Sequence, residues 1–219
     1  MRAKRLTALL CAGLLAGCLG AGPQIAGSGP AAPVPGTGFD PAQGIVVVAV
    51  GWERVWNCGR YENAQLDSIG FSRQDEAAGG PAREPEILLK RPGLLSGKSD
   101  VEHLAFRVPP GRYALDRFAI KVARSRTEVG RLVVGPTELV KDGKPVGGSF
   151  EVAGGEAIYI GHFGLDCAQE PIPWRFYIDG TEEFAKYVEF LREKHPFLSQ
   201  GEVKFRPLET SILGSPYRS

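Results

Sequence analysis

The chain has 219 residues, with 26 lysines and arginines against 25 aspartates and glutamates, a formal charge of +1. Three of the cations, Arg2, Lys4 and Arg5, stand at the very start; without them 23 basic residues face 25 acidic ones, and the charge is −2. That balance leaves no electrostatic footprint for nucleic acid, while the length beyond about Gln43 suffices for one domain with its own core.

Residues 1–17 have the layout of a secretory signal: a basic start, then the apolar run Leu6 to Leu15. The run is too short to span a bilayer, which needs about 20 apolar residues. Leu15-Ala16-Gly17-Cys18 resembles the lipobox of bacterial lipoproteins. The resemblance implies cleavage before Cys18 and a lipid on its thiol. The plainer alternative is an ordinary signal with an incidental cysteine. Acyl chains anchor at about 0.8 kcal/mol per buried CH₂, so several on one residue hold stably to a membrane. Leu19 stands where an aspartate would resemble an inner-membrane retention signal. The expected address is therefore the outer membrane of a Gram-negative cell, with the domain facing the periplasm.

Residues 19–42 are rich in Gly, Ala and Pro and almost uncharged. Such a composition cannot bury enough surface to offset ordering. It reads as a tether spanning about 25–30 Å root-mean-square.

Ile45 to Val50 (IVVVAV) is short and β-branched, which predicts a strand buried on both faces. Trp52 and Trp56 follow as core or edge packing. Residues 66–73 and 87–90 are further strand candidates, separated by the loop AAGGPAREP. In 102–108, Leu104, Phe106 and Val108 share one face, and His103, Ala105 and Arg107 the other, the period of a half-buried strand. Pro109-Pro110-Gly111 turns the chain. Phe118, Ile120 and Val122 alternate in the next strand. Residues 132–134 and 137–140 read as two more. Asp142-Gly143 is a hairpin turn. Phe150 and Val152 lead into the turn Gly154-Gly155, and Ile158 and Ile160 alternate with Tyr159. Short strands broken by Gly and Pro turns predict a mostly β fold, an antiparallel sandwich of prealbumin or immunoglobulin type.

VPPGRYAL (108–115) followed by FEVAGGEAIYIGHF (150–163) resembles a turn-and-strand pattern of bacterial β-sandwich domains. It is similar to uncharacterised bacterial lipoproteins and, more distantly, to prealbumin-like modules such as the carboxypeptidase regulatory domain. The likeness covers residues 101–163, under a third of the chain. Its motifs concern turns and core, so it implies a fold and carries over no catalytic residue. Ala157 and Ile158 depart from the more polar or aromatic pair of that pattern.

Trp174 to Ile178 reads as a strand and Asp179-Gly180 as a turn. Thr181 is expected to cap a helix over about 181–194, with Glu182 and Glu183 in its first turn. Phe184, Tyr187, Val188 and Leu191 form one apolar face, expected to pack on the domain's own sheet. Pro196 ends the helix, and residues 203–206 form a last strand.

Setting Cys11 and Cys18 aside leaves Cys58 and Cys167. In an oxidising periplasm two such cysteines are expected to pair; buried free thiols and a functional thiol are the rivals. The histidines are His103, His162 and His195. His103 lies on the polar face of its strand, which predicts exposure. His195 suits a helix C-terminus. GHFGLDC places His162, Asp166 and Cys167 within six residues. A thiol nucleophile with a nearby base or a zinc site competes there with a loop stapled to Cys58, and the staple is favoured. Nucleophile-elbow, dinucleotide and P-loop patterns are absent, so neither a catalytic set nor a cofactor is expected. Three function classes follow. The favoured one is a non-catalytic envelope lipoprotein with a protein partner. The second is a small-ligand or glycan-binding module stacking on Trp52, Trp56 or Trp174. The third is a thiol or hydrolytic enzyme around Cys167 and His162.

Overall fold

The computed structural model describes residues 39–74, 85–93, 101–210 and 212–214. The expected signal 1–17, the lipidated Cys18 and the tether up to residue 38 lie outside the described residues. In chain order the elements are β1 (Gly44–Gly51), β2 (Arg54–Cys58), β3 (Tyr61–Arg73), β4 (Ile87–Lys90), β5 (Val101–Val108), β6 (Gly111–Ala123) and β7 (Val129–Val134). Then come α1 (Pro136–Leu139), β8 (Val140–Lys141), β9 (Lys144–Pro145), β10 (Ser149–Val152), β11 (Ala157–Asp166) and β12 (Ile172–Phe176). The helix α2 (Thr181–Lys194), a 3-10 turn (Pro196–Gln200) and β13 (Val203–Phe205) complete the set.

Two sheets pack face to face. Sheet A runs β12-β11-β1-β5, with β13 also on β11. Sheet B runs β10-β6-β3-β2, with β7 on β6 and β4 on β3. The core between them joins Val46, Val48 and Val50 of β1 to Leu66, Ile69 and Phe71 of β3 and to Leu115, Phe118 and Ile120 of β6. A second cluster lies on the other face of sheet A, where Ile45, Val47 and Tyr159 meet Val188 and Leu191 of α2 and Phe197 and Leu198 of the 3-10 turn. The molecule thus has three layers: helix, sheet A, sheet B. This is why IVVVAV is a continuous apolar run: its odd positions meet the helix and its even positions meet sheet B. Each such buried side chain contributes about 1.5–3 kcal/mol.

The expected β-sandwich with a C-terminal helix is the fold observed. Sheet A is mixed, however, because β1 runs parallel to β11 and β11 parallel to β13, where antiparallel pairing throughout was expected. Of residues 137–140, expected as a strand, only Val140 is in one, the start of β8. Pro136 opens the short helix α1, where its missing N–H is no loss, and the Glu138 carboxylate accepts from the Gly135 N–H at 3.1 Å. The hairpin turn forms between β8 and β9, with Asp142 at φ 52° and Gly143 at φ 71°, both left-handed as a type I′ turn requires. The helix occupies its expected span, but Gly180 rather than Thr181 is the N-cap and no side chain caps it. Its first turn is held instead by Lys186, 2.9 Å from both Glu182 and Glu183.

Cys58 and Cys167 form a disulfide, with Cα atoms 4.5 Å apart across 109 residues of sequence. It ties the end of β2 in sheet B to the loop after β11 in sheet A, so it clasps the two sheets directly.

Candidate functional site: a covered histidine cluster and an open sheet face

Ala49 in β1 pairs with His103 of β5 on one side and His162 of β11 on the other. The three stand in one row across sheet A, and the small alanine leaves room for the two imidazoles to meet, with ring centroids 5.8 Å apart. Helix α2 covers them. Tyr187 of α2 hydrogen-bonds His103 Nδ1 at 3.0 Å, and Phe190 packs edge-on to the same ring at 4.9 Å. Tyr159 Oη bonds His162 Nδ1. His195, at the end of α2, donates from Nε2 to the His103 carbonyl at 3.1 Å. All the histidines of the chain, spread over 92 residues, therefore gather where the helix meets the sheet.

Tyr159 and His162 are three residues apart and would face opposite ways in a regular strand. A bulge in β11 reverses this. Val47 opposes Tyr159 and Ala49 opposes His162, so three steps on β11 match two on β1. Gly161 carries the extra residue at φ 121°. A Cβ there would lie 2.9 Å from the Phe176 carbonyl oxygen and 3.0 Å from the Arg175 side chain. The glycine therefore turns His162 from the inter-sheet core to the helix side.

The electrostatics are those of a neutral clasp. Burial, and then the neighbouring His103, push His162 down to about 4. Burial also lowers His103, helped by Lys194 and His195. Burial raises both Tyr159 and Tyr187 above the usual phenol range. A general base works best with a pKa near the operating pH, and at neutral pH His103, His162, Tyr159 and Tyr187 are uncharged.

His162, Asp166 and Cys167 do not converge. His162 turns under the helix, Asp166 accepts from the Ala168 N–H at 2.9 Å, and the Cys167 sulfur is held by Cys58. The disulfide removes the thiol that a nucleophile or a zinc ligand at position 167 would need. The expected exposure of His103 is also corrected: it is half-buried, because the polar face of its strand lies under α2. A cavity of about 320 Å³ opens beside His162, bordered by Glu53, Phe176 and Tyr177. A second one, of about 790 Å³, is bordered by Arg112, Lys144 and Glu209.

None of the tryptophans lines either cavity. Trp52 is 4% exposed, its indole N–H donating to Glu102 at 3.2 Å, so it has no free face for stacking. Trp174 is half-buried in β12. Trp56, in β2, is 58% exposed, with the Arg54 guanidinium 5.7 Å from its ring centre. It belongs to the outer face of sheet B, which no element of the described residues covers. Register gives this face three rows across the strands. Trp56, Asn63, Ala123 and Val129 form the first; Arg54, Gln65, Lys121 and Arg131 the second; Lys90, Ser68, Ala119 and Val133 the third. Val129 and Val133 are 52% and 64% exposed, while Ala119 and Ala123 sit at 3% and 7%, below the longer chains on either side. Along β6 the two alanines thus stand on either side of the exposed Lys121. Sequence reading singled out Trp56 but missed Val129 and Val133, whose period-two spacing in a strand was the available signal.

No protein-family model, curated protein or solved structure matches this chain, so a functional reading has to stand on the two faces of the sandwich.

Proposed function

We propose that this is a lipid-anchored, non-catalytic module of the Gram-negative envelope that holds another protein. In this reading Cys18 carries the lipid in the outer membrane, residues 19–42 form the tether, and the sandwich faces the periplasm. The observation that carries it is the outer face of sheet B, where Trp56, Val129 and Val133 stand exposed beside Arg54 and Lys121. Exposed apolar groups gathered on one face, with aromatic and arginine side chains among them, are the composition of a protein-binding patch. The disulfide at Cys167 also weighs against a thiol centre, and the burial that lowers His162 to about 4 leaves it a weak base at neutral pH.

In-cell cross-linking of the lipidated protein, with mass spectrometry of the adducts and Cys18→Ala as control, tests the reading. One dominant protein adduct, lost in Cys18→Ala, is expected. No adduct above background overturns it and shifts weight to the second reading, a small-ligand or glycan-binding module. That reading rests on Trp56 beside the Asn63 amide, since Trp52 is buried and Trp174 half-buried.

A further inference from the structure

The open face of sheet B has a definite shape and charge. Trp56 and Val129 stand on the outermost of four adjacent strands. Three inter-strand spacings of about 4.8 Å place those two strands about 14 Å apart. An α-helix with its side chains is about 10–12 Å across. Between the walls lie Ala119 and Ala123, 3% and 7% exposed, with Gln65 and Lys121 in the row between them. The face therefore has the width of a seat for one helix, with the exposed Lys121 standing in its floor between the two alanines.

The charges on this face are one-sided. Arg54, Lys90 and Lys121 have no carboxylate partner among the described residues. The carboxylate on the face, Asp67, is already taken, at 2.6 Å from Arg131 and 3.8 Å from Arg91. Among the described residues a second copy of this chain offers no free helix face, because the apolar face of α2 is spent on sheet A.

Resting on the reading of this face as a partner site, we infer that the partner presents an acidic amphipathic helix. Its apolar residues meet Trp56, Val129 and Val133, and its carboxylates reach Arg54, Lys90 and Lys121. This is helix-in-groove recognition with electrostatic steering.

The test uses the full chain in detergent and a defined probe, an amphipathic Leu/Glu peptide of about 18 residues, which is five helical turns. Its Leu/Lys counterpart and phosphatidylglycerol vesicles serve as comparisons, and tryptophan fluorescence is the readout. The Leu/Glu peptide should bind and the Leu/Lys peptide should not. Affinity should fall about tenfold in Lys121→Glu, equivalent to about 1.4 kcal/mol, and should fall with added salt in the unaltered chain. The signal should vanish in Trp56→Phe. Equal binding of both peptides, or Leu/Glu binding indifferent to salt and to Lys121→Glu, sinks the inference. So does binding to the vesicles in place of the peptide, or self-association of the chain through this face. A photo-cross-linker at position 133 in cells separates the inference from its premise. A protein adduct together with a failed peptide test leaves a partner of other chemistry; the absence of any adduct removes the partner reading itself.

Discussion

Sheet A and sheet B differ in what lies on their outer faces, and the difference is written in their strands. β1 is buried at every position from Gly44 to Val50 because α2 and the 3-10 turn cover its outer side. β6 alternates, with Phe118, Ile120 and Val122 in the core and the solvent-exposed Lys121 pointing away. The covered face gathers neutral histidines and tyrosines; the open face gathers cations and bare valines. Polar groups under a helix must be paired and uncharged to be tolerated. Charged groups on an open face carry no such constraint, and they are free to meet a partner.

The clasp between the sheets is the place where the comparison breaks most readily. Replacing both Cys58 and Cys167 by serine opens a loop spanning 109 residues and should cost about 2–5 kcal/mol. Denaturant unfolding with and without reductant measures it. A loss below about 1 kcal/mol would mean that the two sheets hold together without the clasp.

Gly161→Ala attacks the covered face alone. The backbone there sits at φ 121° and a Cβ would press on the Phe176 carbonyl, so a loss of about 3 kcal/mol is expected. The change should also disturb the aromatic near-ultraviolet spectrum, because Tyr159 and His162 owe their shared orientation to that bulge. A loss without spectral change would detach the bulge from the cluster.

Acid should distinguish the faces further. His162 titrates at about 4 in the folded state against an ordinary 6.5. A lowered histidine pKa means the unfolded chain binds the proton first. Stability is then full above about pH 6.5 and falls as pH drops toward 4, by about 2 kcal/mol at pH 5. His103, lowered in the same direction, adds to the fall. Glu156 behaves otherwise. Burial pushes its carboxyl up, but the Ala153 N–H, Lys204 and Arg206 outweigh this and hold it below its ordinary 4.5. Its contribution is present above that range and is lost only in stronger acid. The double variant His103→Gln, His162→Gln should flatten the stability curve between pH 7 and 5 and leave the Glu156 limb in place. A variant curve that still falls between pH 7 and 5 would assign the acid sensitivity elsewhere.

Much of this layering was legible from period and composition. The two-sided burial of β1, the alternation of β5 and β6, the helix face at Phe184, Tyr187, Val188 and Leu191, and the pairing of the two remaining cysteines all follow local rules or compartment logic. What stayed hidden depends on contacts distant in sequence. Period two identifies a polar face for His103 but cannot say that residues 187–195 will lie on it. The bulge at Gly161 had a local sign, a glycine inside a strand. Without the partner strand, though, nothing told which face His162 would take. Trp52 and Trp56, four residues apart, looked equivalent; one ended in the core and the other on the open face, because β1 ends between the sheets and β2 runs along an edge.

One substitution made on each face compares them most directly. Threonine keeps the shape and β-propensity of valine but brings a hydroxyl that needs a partner when buried. Val47 is 0% exposed under the helix and Val133 is 64% exposed on β7. Val47→Thr should cost about 1–3 kcal/mol, the desolvation of an unpaired hydroxyl. Val133→Thr should stay within about 0.5 kcal/mol, as exposed strand positions do. Thermal unfolding of the two variants beside the unaltered chain supplies both numbers. Equal costs would mean that Val133 is covered in solution, and the open face would then already be in use. A cost at Val47 alone leaves the face of sheet B as a surface whose exposed valines add nothing to the fold.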